Sequence, residues 1–215
     1  MFLLLSFLVL VTEPVTPAPD LFAAAGRIED AVTERPICSA ALIAPDIVVT
    51  AAHCVSEAPS APRAFRVSED TAVSVIRFVR HPLYKEFGDS RRLRFDIAVG
   101  VLSESVDIYT SPPLALGEDA VHGEGLYIVS WPRGWERPRQ RRCAVIEGTV
   151  PGVVTLGCRV RGGESGAPLL RLTEDGVELV AILNSTARQN GRSVALASDV
   201  RLRIPALLDS LRTTP

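Results

Sequence analysis

The feature that most limits what this chain can fold into is the shortness of its apolar runs. Beyond residue 25 they occupy 37–43, 47–51, 72–79 and 97–102. After Pro112-Pro113 they resume at 126–131, 143–146, 153–156, 168–172, 177–183 and 194–197. Most are four to eight residues long and rich in Val and Ile, with turn residues between them, which argues for strands rather than helices. Many short strands at fairly regular spacing indicate a sandwich or a barrel. One helical pattern stands at the end, over about 200–211, with Leu202, Pro205, Ala206, Leu208 and Leu211 expected on one face and Pro205 in the first turn. The stretch 111–120, with Ser111, Pro112, Pro113 and Gly117, reads as a linker between two β units of similar size, 26–110 and 121–199, and 200–215 forms the terminal helix and tail.

The first residues form a separate unit. An almost unbroken apolar run from Phe2 to Val11 is followed by Pro14, Pro17 and Pro19, and then by Ala23-Ala24-Ala25. A membrane-spanning helix needs roughly 20 apolar residues. The run is shorter than that and fits the core of a signal peptide over residues 1–25, with a cleavage site in the small-residue stretch. No Lys or Arg precedes the run, which departs from that pattern, and a buried first strand is the alternative. Four cysteines agree with an oxidising compartment, secreted or periplasmic. They allow three pairings, of which proximity favours Cys38–Cys54 and Cys143–Cys158. Each bridge would close a loop worth about 3 kcal/mol in the chain-entropy model. There is no Cys-x-x-Cys pair, so no metal site is expected. A net charge of −2 gives no general attraction to nucleic acid or anionic membrane.

Three segments carry chemistry. Val49-Thr50-Ala51-Ala52-His53-Cys54 closes a strand, Phe95-Asp96-Ile97-Ala98-Val99 opens one, and Gly162-Gly163-Glu164-Ser165-Gly166-Ala167-Pro168-Leu169 is a glycine-rich turn leading into another. A serine hydroxyl needs a base to take its proton during attack, and imidazole has a suitable pKa. The imidazole needs a carboxylate to fix its tautomer. The developing oxyanion needs preorganised backbone donors. Glycines beside a serine allow the tight turn that exposes Oγ and points amides into one cavity.

These residues resemble the trypsin-like peptidases. Thr50-Ala51-Ala52-His53-Cys54 matches their histidine motif, Asp96-Ile97-Ala98-Val99 is similar to Asp-Ile-Ala-Leu, and Gly163-Glu164-Ser165-Gly166-Ala167-Pro168 is similar to Gly-Asp-Ser-Gly-Gly-Pro. The order His, Asp, Ser belongs to the chymotrypsin fold. His81-Pro82-Leu83-Tyr84, the strands at 126–131 and 180–184, and the terminal helix are similar to family features, so the likeness runs over about 26–212. It implies an all-β fold, two six-stranded antiparallel β-barrels with a C-terminal helix. It implies Ser165 as nucleophile, His53 as general base and then acid, Asp96 as orienting carboxylate, and the amides of Gly163 and Ser165 as oxyanion hole. The implied partners are protein or peptide substrates met by a monomer, with no cofactor, no nucleic acid and no stable membrane insertion once the leader is gone. The competing reading is a non-catalytic homologue that serves as a protein-binding module.

Several positions depart from the family pattern. Glu164 stands where an aspartate is usual; in zymogen-activated members that aspartate pairs with a freed N-terminus. Arg27-Ile28 resembles an activation site, but an opening strand explains it equally, and the short segment before His53 favours direct folding to an active form. Ala167 replaces a glycine and is tolerable at negative φ. Cys158 precedes Ser165 at a spacing that resembles a bacterial branch, in which it pairs upstream, here with Cys143. Arg159 falls near the specificity pocket, where no carboxylate stands, and Asn184 lies on the strand lining the cleft. A basic wall there suits acidic side chains. His81 and His122 read as structural or surface residues. The arginine-rich stretch around Trp135, from Arg133 to Arg142, reads first as a solvated loop and second as an exosite for acidic substrate. The Arg91-Arg92-Arg94 cluster reads the same way.

Overall fold

The structure, a computed structural model, describes residues 20–55, 61–85, 88–135 and 137–213. Most of the expected leader, residues 1–19, therefore lies outside the described residues.

The chain forms two closed six-stranded antiparallel barrels and one C-terminal helix. The first barrel contains β1 (Ala25–Asp30), β2 (Pro36–Ala44), β3 (Ile47–Thr50), β4 (Arg63–Arg66), β5 (Ala72–Arg80) and β6 (Ala98–Leu102). They close in the order β1-β2-β3-β6-β5-β4. Closure removes the sheet edges that would otherwise invite pairing with other chains. The second barrel contains β8 (Gly125–Ser130), β9 (Arg139–Ile146), β10 (Val153–Leu156), β11 (Pro168–Thr173), β12 (Gly176–Gln189) and β13 (Arg192–Asp199). It runs β11-β8-β9-β10-β13-β12 and is closed by pairing of β11 with β12. The segment between the barrels holds β7 (Ala115–Leu116), a two-residue strand lying parallel to β12 at Glu178 and Leu179.

Two strands lack an apolar signature because charged residues are folded into them. In β4 only Ala64 and Phe65 face the core, while Arg63 and Arg66 reach Asp30 and Glu29 on β1. Glu29 is 1% exposed and accepts bonds of 2.8 Å from both Arg27 Nε and Arg66 Nε, so the buried carboxylate is paired on two sides. β9 likewise starts upstream of its apolar run. Arg139 to Arg142 continue the ladder with β8, where Ser130 faces Arg139 and Gly125 faces Ala144.

The first-barrel core is built on Ile28, Leu42, Val48, Val49, Phe65 and Val99, and it continues across the seam to Val129, Leu170 and Ile182. A second cluster around Leu126, Ile128, Leu156, Leu169 and Leu183 fills the other barrel. Helix α1 (Arg203–Thr213) returns to the first barrel and packs on β5 and β6. Its buried face differs from the expected one. Leu202 is exposed ahead of the helix, and Pro205 and Ala206 face solvent, whereas Ile204 and Leu207 are fully buried with Leu208 and Leu211 beside them. Starting the helix at Arg203 sets this i, i+3, i+4, i+7 stripe, and Pro205 does sit in the first turn, where its missing N–H costs nothing. Both bridges pair as proximity suggested. Cys38–Cys54 ties β2 to the turn after β3, and Cys143–Cys158 ties β9 to the segment after β10. Leu21, Ala24 and Ala25 are buried, and Ala25 already pairs with Ala41 in β1.

Candidate active site

His53 lies in a 3-10 turn, Ala52–Cys54, directly after β3. Ala51 and Ala52 before it are completely buried, so the small side chains let this turn press into the first barrel while the imidazole stays about one third exposed. Asp96 ends a second 3-10 turn, Ser90–Phe95, just before β6. Because β3 and β6 are paired neighbours, with Thr50 opposite Ala98, the two turns emerge side by side. Asp96 Oδ2 lies 2.7 Å from His53 Nδ1, and Asp96 Oδ1 accepts the His53 backbone N–H at 2.9 Å. The carboxylate is buried, so both bonds form away from water. This two-point grip fixes the ring plane and directs Nδ1 at the carboxylate. Nε2 lies 3.7 Å from Cys54 Sγ.

The Asp96 turn is also tied to the second barrel. The Leu93 carbonyl accepts from Ser198 Oγ at 2.6 Å and from Asn184 Nδ2 at 2.8 Å. Asn184 Nδ2 also donates to Ser198 Oγ at 3.0 Å. Ser198, on β13, was not marked by its sequence, since a lone serine in an alternating strand has no distinguishing pattern.

Ser165 sits on the turn between the two barrels. Its carbonyl accepts from the Ser39 amide on β2 at 2.8 Å. Gly166, at φ +81°, is pressed so closely on the Ser39 carbonyl and Thr50 Oγ1 that no side chain fits. Thr50 begins the segment that ends at His53, so the serine turn docks on the strand that delivers the histidine. The three predicted residues are thus gathered at one seam. Among the described residues the Ser165 hydroxyl makes no hydrogen bond. Ala167 is fully buried, and its φ is not positive, so the methyl that replaces a glycine is accommodated.

The amides of the turn divide into two sets. Those of Glu164, Gly166 and Ala167 donate to the carbonyls of Arg161, Leu183 and Glu164. Those of Gly163 and Ser165 donate to nothing among the described residues. Gly163 reaches this arrangement at φ +89°, and a Cβ there would stand 2.6 Å from the Arg133 amide. Two such N–H groups on either side of an inward-donating one are an arrangement able to receive an anion.

Glu164 holds the turn in place. It is 1% exposed and takes Arg141 in a bidentate pair, with both bonds 2.8 Å, together with Ser130 Oγ at 3.1 Å and the Arg161 amide. Burial pushes its carboxyl upward, but the Arg141 hydrogen bonds, the Arg161 amide, the Arg141 charge and the Ser130 hydroxyl together hold it below the ordinary carboxylate value. Arg141 was read from sequence as part of a solvated loop. The β9 ladder turns it instead to the face shared with Cys143 and Val145, and Arg142 to the opposite face, while Arg139 lies exposed at the strand's first position.

A pocket of about 320 Å³ opens beside Ser165, lined by Val160, Arg161, Gly162, Leu183, Asn184, Ser185 and Thr186. Asn184 is among these lining residues. Arg159 is exposed and does not line it; Arg161, two residues further on, does. His81 is buried, accepts from the Leu83 amide through Nδ1 and packs on Phe95, and His122 is exposed, so neither enters the site. Cys38, His53 and Cys54 also cluster, but both sulfurs are held in the disulfide and offer no thiolate to a metal.

The trypsin-like peptidase domain model matches residues 38–182. The chain belongs to that family. Fold, motif order and matched span agree, and a peptidase-like function follows. The matched span includes His53, Asp96 and Ser165 together. No curated protein matches the sequence.

Proposed function

We propose that this trypsin-like protein is an exported serine endopeptidase that cleaves peptide bonds through an acyl-enzyme. The observation that carries the reading is the amide pattern of the serine turn, in which the Gly163 and Ser165 N–H groups, on either side of the inward-donating Glu164 amide, make no hydrogen bond among the described residues. Ser165 Oγ attacks the substrate carbonyl carbon and its proton passes to His53 Nε2. Asp96 holds the imidazole and stabilises the imidazolium. The tetrahedral oxyanion accepts from the Gly163 and Ser165 amides. Collapse breaks the C–N bond as His53 returns the proton to the leaving amine. Water then repeats the sequence on the acyl-enzyme, giving up a proton to His53 and releasing the acid.

The Arg141–Glu164 pair supports an active form that needs no freed N-terminus, because a cation from within the chain already neutralises the buried Glu164 carboxylate. The two disulfides are consistent with an oxidising compartment. Among the described residues no helix is long and apolar enough to cross a membrane. Since Leu21, Ala24 and Ala25 are core residues, we place leader cleavage upstream of Leu21 rather than within Ala23–Ala25.

The test is hydrolysis of quenched-fluorescent casein by the purified mature protein. Wild type releases fluorescence, and Ser165→Ala and His53→Ala lose about 10⁴-fold or more of the rate. A wild type that binds casein as tightly as Ser165→Ala and cleaves none of it would replace the peptidase reading with the binding module.

A further inference from the structure

The hairpin joining β8 to β9 carries a cationic surface that the proposed chemistry leaves unused. Residues 131–146 hold five arginines and a single carboxylate, Glu136, in a chain whose net charge is −2. Arg141 turns inward to Glu164. Arg133, Arg137 and Arg139 are exposed and have no ion-pair partner among the described residues. Trp135, between them, is 42% exposed, and the Arg139 guanidinium stacks 4.3 Å above its ring. Stacking holds Arg139 at the ring while its edge N–H groups stay free for an anion.

Position decides what this surface meets. The Arg133 amide donates to the Gly162 carbonyl at 2.9 Å, and a Cβ on Gly163 would touch the Arg133 backbone. The hairpin is therefore fastened to the turn that bears Ser165. Arg161, the residue before Gly162, is also exposed and lines the pocket beside Ser165. The hairpin cations and Arg161 therefore adjoin the same turn that bears Ser165. Cys143–Cys158 ties the hairpin's second strand to the segment that leads to Arg161, which pre-organises both.

We propose that this rim, Arg133, Arg137 and Arg139 with Trp135, together with Arg161 beside the same turn, selects acidic polypeptides by engaging Asp and Glu side chains close to the scissile bond. The proposal rests on the peptidase reading of Ser165 and names its substrate class. Single exposed pairs contribute little, but several cations meeting one acidic segment add up and also speed encounter.

The test compares matched fluorogenic peptides that carry either Glu and Asp or Gln and Asn at the positions flanking the cleaved bond. At low salt the acidic peptide is favoured about tenfold in kcat/KM, mostly through KM. In 0.5 M salt that ratio falls toward about one as the charges are screened. In Arg133→Gln/Arg137→Gln/Arg139→Gln, whose changes are all on exposed side chains, the ratio falls likewise, and thermal melting verifies the fold. Equal cleavage of both peptides by wild type at low salt overturns the proposal while leaving the peptidase reading intact. So does a rim that retains nucleic acid or a sulfated polysaccharide without favouring the acidic peptide. Absence of cleavage of either peptide, with no fluorophosphonate labelling of Ser165, removes the peptidase reading and this proposal with it.

Discussion

Replacing Arg141 by methionine deletes the cation from Glu164 while keeping most of the side chain's length. Two charge-assisted hydrogen bonds of 2.8 Å disappear, and a carboxylate only 1% exposed keeps the Arg161 amide and the Ser130 hydroxyl as partners. Breaking a buried pair by removing one member costs roughly 3–5 kcal/mol. The Arg141 side chain is 31% exposed, so part of its charge was already screened by solvent, and about 2–3 kcal/mol is the expected loss. For a chain of this size that lowers the melting temperature by about 5–10 °C. Glu164 stands between the Gly163 and Ser165 amides that we propose to hold the oxyanion, so its release should also cost about 10²-fold in acylation rate, the scale of losing one such donor. Melting curves and fluorophosphonate labelling rates of wild type, Arg141→Met, Glu164→Gln and the double variant form the assay. Arg141→Met should be worse than the double variant, because the latter leaves no uncompensated charge. An Arg141→Met protein with wild-type melting and wild-type labelling would refute the reasoning.

Acid should destabilise the fold through the same residue. Glu164, and Glu124 held low by the Arg171 hydrogen bond, have folded values below their unfolded ones, so their contributions are present above about pH 4.5 and are lost as pH falls through the folded values. Asp199, raised chiefly by burial, contributes with the opposite sign. Urea midpoints should therefore fall below that pH, less steeply in Glu164→Gln; equal slopes in the two proteins would contradict the assignment. Gly166→Ala combines a positive φ with a collision against the Ser39 carbonyl and Thr50 Oγ1, and should cost about 2–5 kcal/mol, read as a collapse of soluble yield or of melting temperature; a stable, labelled Gly166→Ala would refute the docking of this turn. The mature N-terminus, read by intact mass, should fall upstream of Leu21, and a terminus at Ala24 or beyond would show that the buried Leu21 is dispensable.

The parts of this fold that showed in the sequence are those where one residue type does one job. Val- and Ile-rich runs marked ten of the strands, and the His, Asp and Ser segments stood out because small residues and glycines crowd around them for steric reasons. The parts that stayed hidden depend on partners distant along the chain. β1 and β4 carry arginines and acids whose charges cancel only after pairing, as at Glu29. The helix face was misplaced because its starting residue, Arg203, sets the stripe and Leu202 lies outside it. Arg141 is indistinguishable in sequence from Arg139 and Arg142, and only the fold brings it against Glu164; Ser198 and Leu93 likewise meet only across the seam between barrels.

The most direct test of the account is labelling of the mature protein with a fluorophosphonate, located by peptide mass analysis. One adduct is expected, on Ser165, lost in Ser165→Ala and reduced to the background rate in His53→Ala. A folded, leader-free protein that gives no adduct, or one that labels equally well in His53→Ala, would contradict an activated serine at this site.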